Sequence, residues 1–367
     1  MKTLEKIQGS LIGGAVGDSL GYAVEFYSYE EIVNIYGPGG IRNFRLFDGK
    51  AIISDDTQMT LFTANGLLLA HTNASLRKEE VDYLGHVYGA YKDWHRGQVG
   101  LLMEGFESDY FLCNYDHLIE PRHPGRTIMT SLQNNPLGGS LDERINDSKG
   151  CGTIMRMAPV GLFLREDDFS DLDRALMDLS RDISLLTHGH DLAFIPSAMF
   201  SLIINKLVKD DKGLEEVVRE SLDLTVDYFS SSPHIDYFEE LIVKAIELAG
   251  EEGSDLENIR KLGQGWVAEE TLAISLYCSL RYEGDFKKAL VAAVNHDGDS
   301  DSTGAITGNI LGAHLGIRKV FMGFDIAKLE GYDIIFDLAE DMYKRYPLED
   351  YYDVKWVMKY LLANYGS

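Results

Sequence analysis

Cysteine is scarce in this 367-residue chain: Cys113, Cys151 and Cys278 match no metal or redox spacing, which excludes a disulfide scaffold and fits reduced thiols in the cytoplasm. Basic residues are also short, 34 Lys and Arg against 59 Asp and Glu for a net charge of -25. Phosphate neutralisation needs a basic surface, so a nucleic-acid-binding face is not expected. The first residues, Met1-Lys2-Thr3-Leu4-Glu5-Lys6, lack the apolar core of a signal peptide, and no later apolar run reads as long enough to span a membrane. Alternating strand patterns, internal repeats and low-complexity tracts are missing as well.

What remains is helical periodicity. Apolar residues recur at three- and four-residue intervals over Thr60–Thr72, Leu172–Ser184, Leu192–Val208, Leu214–Ser230, Tyr237–Ala249, Glu269–Arg281 and Val354–Ala363. Breaks fall at Tyr36 to Gly40, Asn134 to Gly139, Ser231 to Pro233 and Glu251 to Ser254, none of them long enough for a linker. The chain reads as all-α, with residues 1–367 forming a single domain. Gly304, Gly308, Gly312 and Gly316 recur every four residues and so share one helix face. Glycine costs an isolated helix about 1 kcal/mol per site relative to alanine, so the stripe predicts a close-packed, buried helix. The glycine-rich Gly9 to Asp18 segment is expected to pack nearby.

Two acidic clusters lie far apart in sequence: Ser54-Asp55-Asp56-Thr57 and Asp297-Gly298-Asp299-Ser300-Asp301-Ser302. Each places carboxylates and a hydroxyl directly before a helical stretch, where like charges repel unless cations neutralise them. Hard oxygen donors suit Mg²⁺, Mn²⁺ or Ca²⁺. An EF-hand register fails, because Ser302 stands at the turn-glycine position and Gly308 at the bidentate-glutamate position. Helix capping alone does not need three aspartates. Gly150-Cys151-Gly152-Thr153 has the small residues of a phosphate cradle or of a plain tight turn. Thr187-His188-Gly189-His190-Asp191 carries a His-Asp pair of the kind found in metal phosphohydrolases, an alternative enzyme class that leaves the acidic clusters unexplained.

Four motifs together resemble the ADP-ribosylglycohydrolase family: Gly13-Gly14-Ala15-Val16-Gly17-Asp18-Ser19-Leu20-Gly21 with Val24-Glu25-Phe26; Ser54-Asp55-Asp56-Thr57-Gln58-Met59; Gly150 to Pro159; and Gly298-Asp299-Ser300-Asp301-Ser302. The resemblance implies a compact orthogonal multi-helix bundle with a central dimetal cleft holding two Mg²⁺ or Mn²⁺ ions. It implies Ser54, Asp55, Asp56, Asp299, Asp301 and Ser302 as metal ligands, with Asp301 bridging and Asp297 in support. The family usually has Thr where Ser54 and Ser302 stand here, a change that keeps the hydroxyl.

The implied chemistry is cleavage of the glycosidic bond between ADP-ribose and an acceptor, either a modified protein side chain or an ADP-ribose-containing small molecule. Glu25, Asp55 and Asp56 are the implied acid/base groups. Gly150, Cys151, Gly152, Thr153 and His188 are the implied substrate-binding residues. One stretch departs from the family: the nitrogenase-regulating branch carries an acid before a Gly-x-Thr where this chain reads Pro121-Arg122-His123-Pro124-Gly125-Arg126-Thr127. The linkage hydrolysed therefore stays open at the level of sequence. A non-catalytic protein on the same scaffold, like the lens crystallins that resemble the family, is the second class of reading.

Overall fold

The computed structural model describes residues 2–102, 108–345 and 353–361. Among them are eighteen α-helices joined by short 3₁₀ turns and loops, with three isolated β-bridges and no strand. The periodic segments appear as helices with slightly different bounds: Asp55–Arg77, Leu172–Leu185, Asp191–Lys209, Leu214–Tyr228, Ile235–Gly250, Ala268–Arg281 and Val354–Tyr360. The last two residues of the expected Val354–Ala363 helix lie outside the described residues. The Asp55–Arg77 helix begins five residues earlier than its apolar pattern because Ser54 caps it and the acidic residues occupy its first turn.

The helices Thr3–Tyr22 and Ser300–Leu315 make the most extensive helix–helix contact of the chain. They run antiparallel with glycine against glycine. A Cβ at Gly9 would stand 2.2 Å from the Gly312 carbonyl oxygen, one at Gly13 2.4 Å from that of Gly308, and one at Gly17 1.9 Å from that of Gly304. Gly21 meets Ser300 in the same way, at 2.1 Å. Backbones this close leave no room for a methyl group, which is why two buried helices tolerate so much glycine. Gly316 ends the helix as its cap with φ +76 and still abuts Gly9, whose Cβ would stand 2.8 Å from the Gly316 carbonyl carbon. The pairing runs from the protein's surface to its centre and finishes with Asp18 and Asp301 beside each other, since Gly21 abuts Ser300 and Asp301.

One correction concerns the long apolar helix. Asp191–Lys209 is by length and composition apolar enough to cross a membrane, contrary to the reading from sequence, but 94% of that apolar window is buried within the protein. It packs against Leu172–Leu185, Ala158–Phe163 and Leu214–Tyr228 as a core helix. Pro196 lies inside it, past the first turn, and so removes the N–H that would otherwise donate to the Leu192 carbonyl.

The glycine contact generates a direct test. Gly308→Ala gains about 1 kcal/mol of helix propensity but places a methyl group 2.0 Å from the Gly13 backbone, so chemical denaturation should show a net loss of about 1–3 kcal/mol or more. Gly284→Ala, whose Cβ meets nothing within 4 Å, should change stability by less than about 1 kcal/mol. Equal stability of the two variants would contradict the packing account.

Candidate functional site

A cavity of about 360 Å³ opens where the first turns of Asp55–Arg77 and Ser300–Leu315 meet. Its wall contains Glu25, Asp55, Asp56, Asp299, Asp301 and Ser302, together with Gly150, Cys151, Gly152 and His188. Residues from five distant stretches of sequence are thus brought to one cleft. Ser54 and Thr153 are buried and do not line it. The Ser54 hydroxyl caps its helix by accepting from Asp56 N at 3.1 Å, and the Thr153 hydroxyl donates to the Ala193 carbonyl at 3.0 Å.

The acids are held without a salt bridge to Lys or Arg among the described residues. Ser302 Oγ donates to Asp56 Oδ2 at 2.8 Å, Cys151 Sγ donates to Asp299 Oδ2 at 2.8 Å, and Ser302 N donates to Asp301 Oδ1 at 2.9 Å. Asp55 Oδ2 accepts from Gly125 N at 3.3 Å. Asp18, part of the first motif but not foreseen as a site residue, lies underneath. Its carboxylate accepts from the Ser54 N–H at 3.0–3.1 Å, from Thr57 N at 3.2 Å and from the Thr57 hydroxyl, so it stitches the first long helix to the N-terminus of the second.

Burial, followed by the charge of Asp301, raises Asp18 to about 7, Glu25 to about 11, and Asp55, Asp56 and Asp299 well above the ordinary carboxylate range. Asp301 is raised by burial as well, so the whole cluster disfavours full ionisation. Hard oxygen donors crowded in a buried cleft are short of positive charge, and a divalent cation is the chemically matched counterion. Among the described residues no three His, Cys, Asp or Glu side chains already converge as a closed ligand set. Asp299 and Asp301 instead share the Ser302 N–H as donor, at 3.4 and 2.9 Å, and Glu25 Oε2 has no partner.

His188 is buried beside Gly150 and Gly152. Burial and the nearby Arg156 lower it to about 3, so it is neutral at ordinary pH. Its Nδ1 contacts Thr187 Oγ1 at 2.8 Å, and that oxygen accepts from Arg156 at 2.6 Å, an arrangement that lets the Thr187 hydroxyl donate to Nδ1 and leaves the Nε2–H free to donate. Arg156 itself is fully buried, its guanidinium 4.4 Å over the Tyr91 ring, and it does not line the cleft. The stretch after Gly152 is a 3₁₀ turn, Ile154–Arg156, and the α-helix starts only at Ala158.

Asp297 accepts from Tyr29 N at 2.8 Å and pairs with Arg260, anchoring the acidic loop from outside. His190 caps the Asp191–Lys209 helix and Asp191 pairs with Arg144, and neither lines the cleft. The His-Asp phosphohydrolase reading therefore has no site. Trp266, which sequence reading missed, lines the cleft because Cys151 N donates to the Trp266 carbonyl at 3.2 Å and Gly150 bridges Val267. The one available signal was a tryptophan in a glycine-containing loop before a helix.

A sequence model of the ADP-ribosylglycohydrolase family matches residues 1–351. The ADP-ribosylarginine hydrolase Tri1 of Serratia proteamaculans is 25% identical over 354 residues, covering 95% of this chain and 82% of that protein. The ADP-ribosylhydrolase ARH3 of Danio rerio is 24% identical over 380 residues, covering 94% and 92%. A solved ADP-ribosylglycohydrolase-related protein complex shares the fold with a TM-score of 0.60 at 20% identity, over 94% of this chain and 99% of that one. The chain belongs to the ADP-ribosylglycohydrolase family and is an ADP-ribosyl hydrolase, an enzyme of the glycosidase type.

The cluster makes the cation-free protein pH-sensitive. Raised carboxylates hold protons in the folded state that the unfolded chain releases, so their contribution to stability is present at low pH and lost as pH rises through the folded values, past about 7 for Asp18. Melting in chelator should show Tm falling from about pH 5.5 to about pH 8, and Mg²⁺ or Mn²⁺ should restore most of the loss. A Tm that rises across this range in chelator would be the opposite result.

Proposed function

From that membership we propose that the chain releases ADP-ribose from a modified protein side chain with the help of two divalent cations, Mg²⁺ or Mn²⁺. The observation that carries this reading is the convergence of Asp55, Asp56, Asp299 and Asp301 in the wall of one buried cleft. Asp55, Asp56, Asp299, Asp301 and Ser302 would hold the cations, with Ser54 joining them if its hydroxyl leaves the cap. Bound there, such ions supply Lewis-acid stabilisation of oxygen and a lowered pKa for water.

This chain's own groups do the rest. Gly150, Cys151 and Gly152 present small residues and backbone to the cleft beside Asp299, and the His188 Nε2–H lies next to Gly150, so a diphosphate or ribose oxygen seated there finds a neutral donor. Positioning of the anomeric carbon over the acids, with water between, accounts for much of the rate. The transition state has oxocarbenium character, and the carboxylates of the cleft stabilise its positive charge. Glu25, buried at the wall with Oε2 lacking a hydrogen-bond partner, is the group best placed to move a proton; Asp55 and Asp56 are the other acids within the cleft. Residues 1–367 act as one unit in this reading, and the three free cysteines suit the cytoplasm. A relative that hydrolyses ADP-ribosylarginine and relatives called simply ADP-ribosylhydrolases leave the acceptor to be found by assay.

Incubation with proteins or peptides ADP-ribosylated through different linkages should release ADP-ribose with Mg²⁺ or Mn²⁺ and not in chelator. Asp301→Asn should lower metal affinity and turnover by about 100-fold or more. Full activity of that variant in chelator would sink the two-metal reading. Glu25→Gln should slow single turnover by about 10²–10⁴-fold while ADP-ribose affinity stays within about threefold. A wild-type single-turnover rate would remove Glu25 from the chemistry.

A further inference from the structure

Two cavities meet at Glu25. One is the acid cleft, and the other, of about 310 Å³, is lined by Tyr22, Tyr27, Arg45, Phe47 and Arg122. Glu25, Phe26 and His123 line both and form the partition between them. Glu25 is only 9% exposed, and its nearest basic atom, His123 Nδ1, is 3.6 Å from Oε2, beyond hydrogen-bonding reach. The partition thus carries a buried, unpartnered carboxyl oxygen with a cavity on either side.

The two sides differ in charge. Carboxylates dominate the first, whereas the second holds two guanidinium groups and aromatic rings. Arg122 is committed to Glu120 and Glu330. Arg45 is exposed, lies 4.9 Å over the Phe47 ring and has no ion-pair partner among the described residues. Its loop, residues 42–50, carries Arg42, Arg45 and Lys50 against Asp48 alone, a basic segment in a chain of net charge -25. Around it the rim is apolar: Phe26 is 63% exposed and stacks on Trp266 with ring centroids 6.2 Å apart.

On the hydrolase reading above, we propose that the Tyr22–Phe47 cavity receives the acceptor, and that Arg45 selects acceptors with carboxylates beside the modified residue, that is, an acidic protein segment. In the reaction the oxygen of water joins the anomeric carbon, the bond from that carbon to the acceptor atom breaks, and a proton ends on the acceptor atom. A substrate undergoing this step beside Glu25 has ADP-ribose in the acid cleft and its acceptor across the partition. Tyr22, Tyr27 and Phe47 offer apolar contact to the linked side chain, and the free Arg45 guanidinium pairs with an acidic neighbour. A lysine- or arginine-rich segment meets repulsion from Arg45, and the carboxyl group in the cavity wall, Glu25, is buried in the partition away from Arg45's exposed loop.

The test uses synthetic peptides ADP-ribosylated through one hydrolysable linkage and flanked by Glu, Ala or Lys, with an ADP-ribosylated small alcohol or amine as a peptide-free substrate. The wild-type enzyme should prefer Glu over Lys flanks by about five- to tenfold in kcat/KM, expressed in KM, and high salt should shrink the preference. Arg45→Ala should flatten it, Arg45→Lys should keep part of it, and Arg45→Glu should reverse it. Equal kcat/KM for all flanks, or an unchanged preference in Arg45→Glu, overturns the inference while leaving the hydrolase reading intact. Failure to hydrolyse every peptide and the peptide-free substrate overturns both.

Discussion

The contact that the rest of the site depends on is glycine against glycine between Thr3–Tyr22 and Ser300–Leu315. Because three glycine pairs let these helices touch backbone to backbone, the end of Thr3–Tyr22 and the start of Ser300–Leu315 lie side by side in the protein's interior. That is where Asp18 and Asp301 stand. Asp18 then reaches under Ser54 and Thr57 and fixes the N-terminus of Asp55–Arg77 against the same point. One steric constraint and one hydrogen-bonded carboxylate together collect acids separated by nearly 250 positions of sequence.

Such a collection is electrostatically unfavourable by itself. Helix N-termini and backbone N–H groups ease the repulsion but leave it far from cancelled, as the raised carboxylates show. Burying these acids costs stability locally, and the large apolar core elsewhere offsets the cost. Arg45 and Arg122 sit on the other side of Glu25 from Asp55, Asp56, Asp299 and Asp301.

Much of this was legible in the sequence. Three- and four-residue periodicity located the helices, and the four-residue glycine spacing announced the central contact, though not that Gly316 also ends its helix as the cap. Asp55, Asp56, Asp299 and Asp301 stood out because clustered carboxylates before a helix have few other uses. The structure was needed where a role depends on which way a side chain turns. Thr153 and Arg156 lie within the Gly150–Pro159 motif yet bury their polar groups against Ala193 and Thr187, and His190-Asp191 is a cap with an ion pair. Trp266 and Asp18 came to the site through tertiary contacts that no local pattern encodes.

The central claim is that the carboxylates at these two helix starts form a divalent-cation site. Anomalous diffraction from crystals grown with Mn²⁺ addresses it most directly. The account requires anomalous peaks in the cleft bounded by Asp55, Asp56, Asp299 and Asp301. A cleft without peaks at saturating Mn²⁺, or peaks only elsewhere, such as at Asp297 or beside His190 and Asp191, would contradict it.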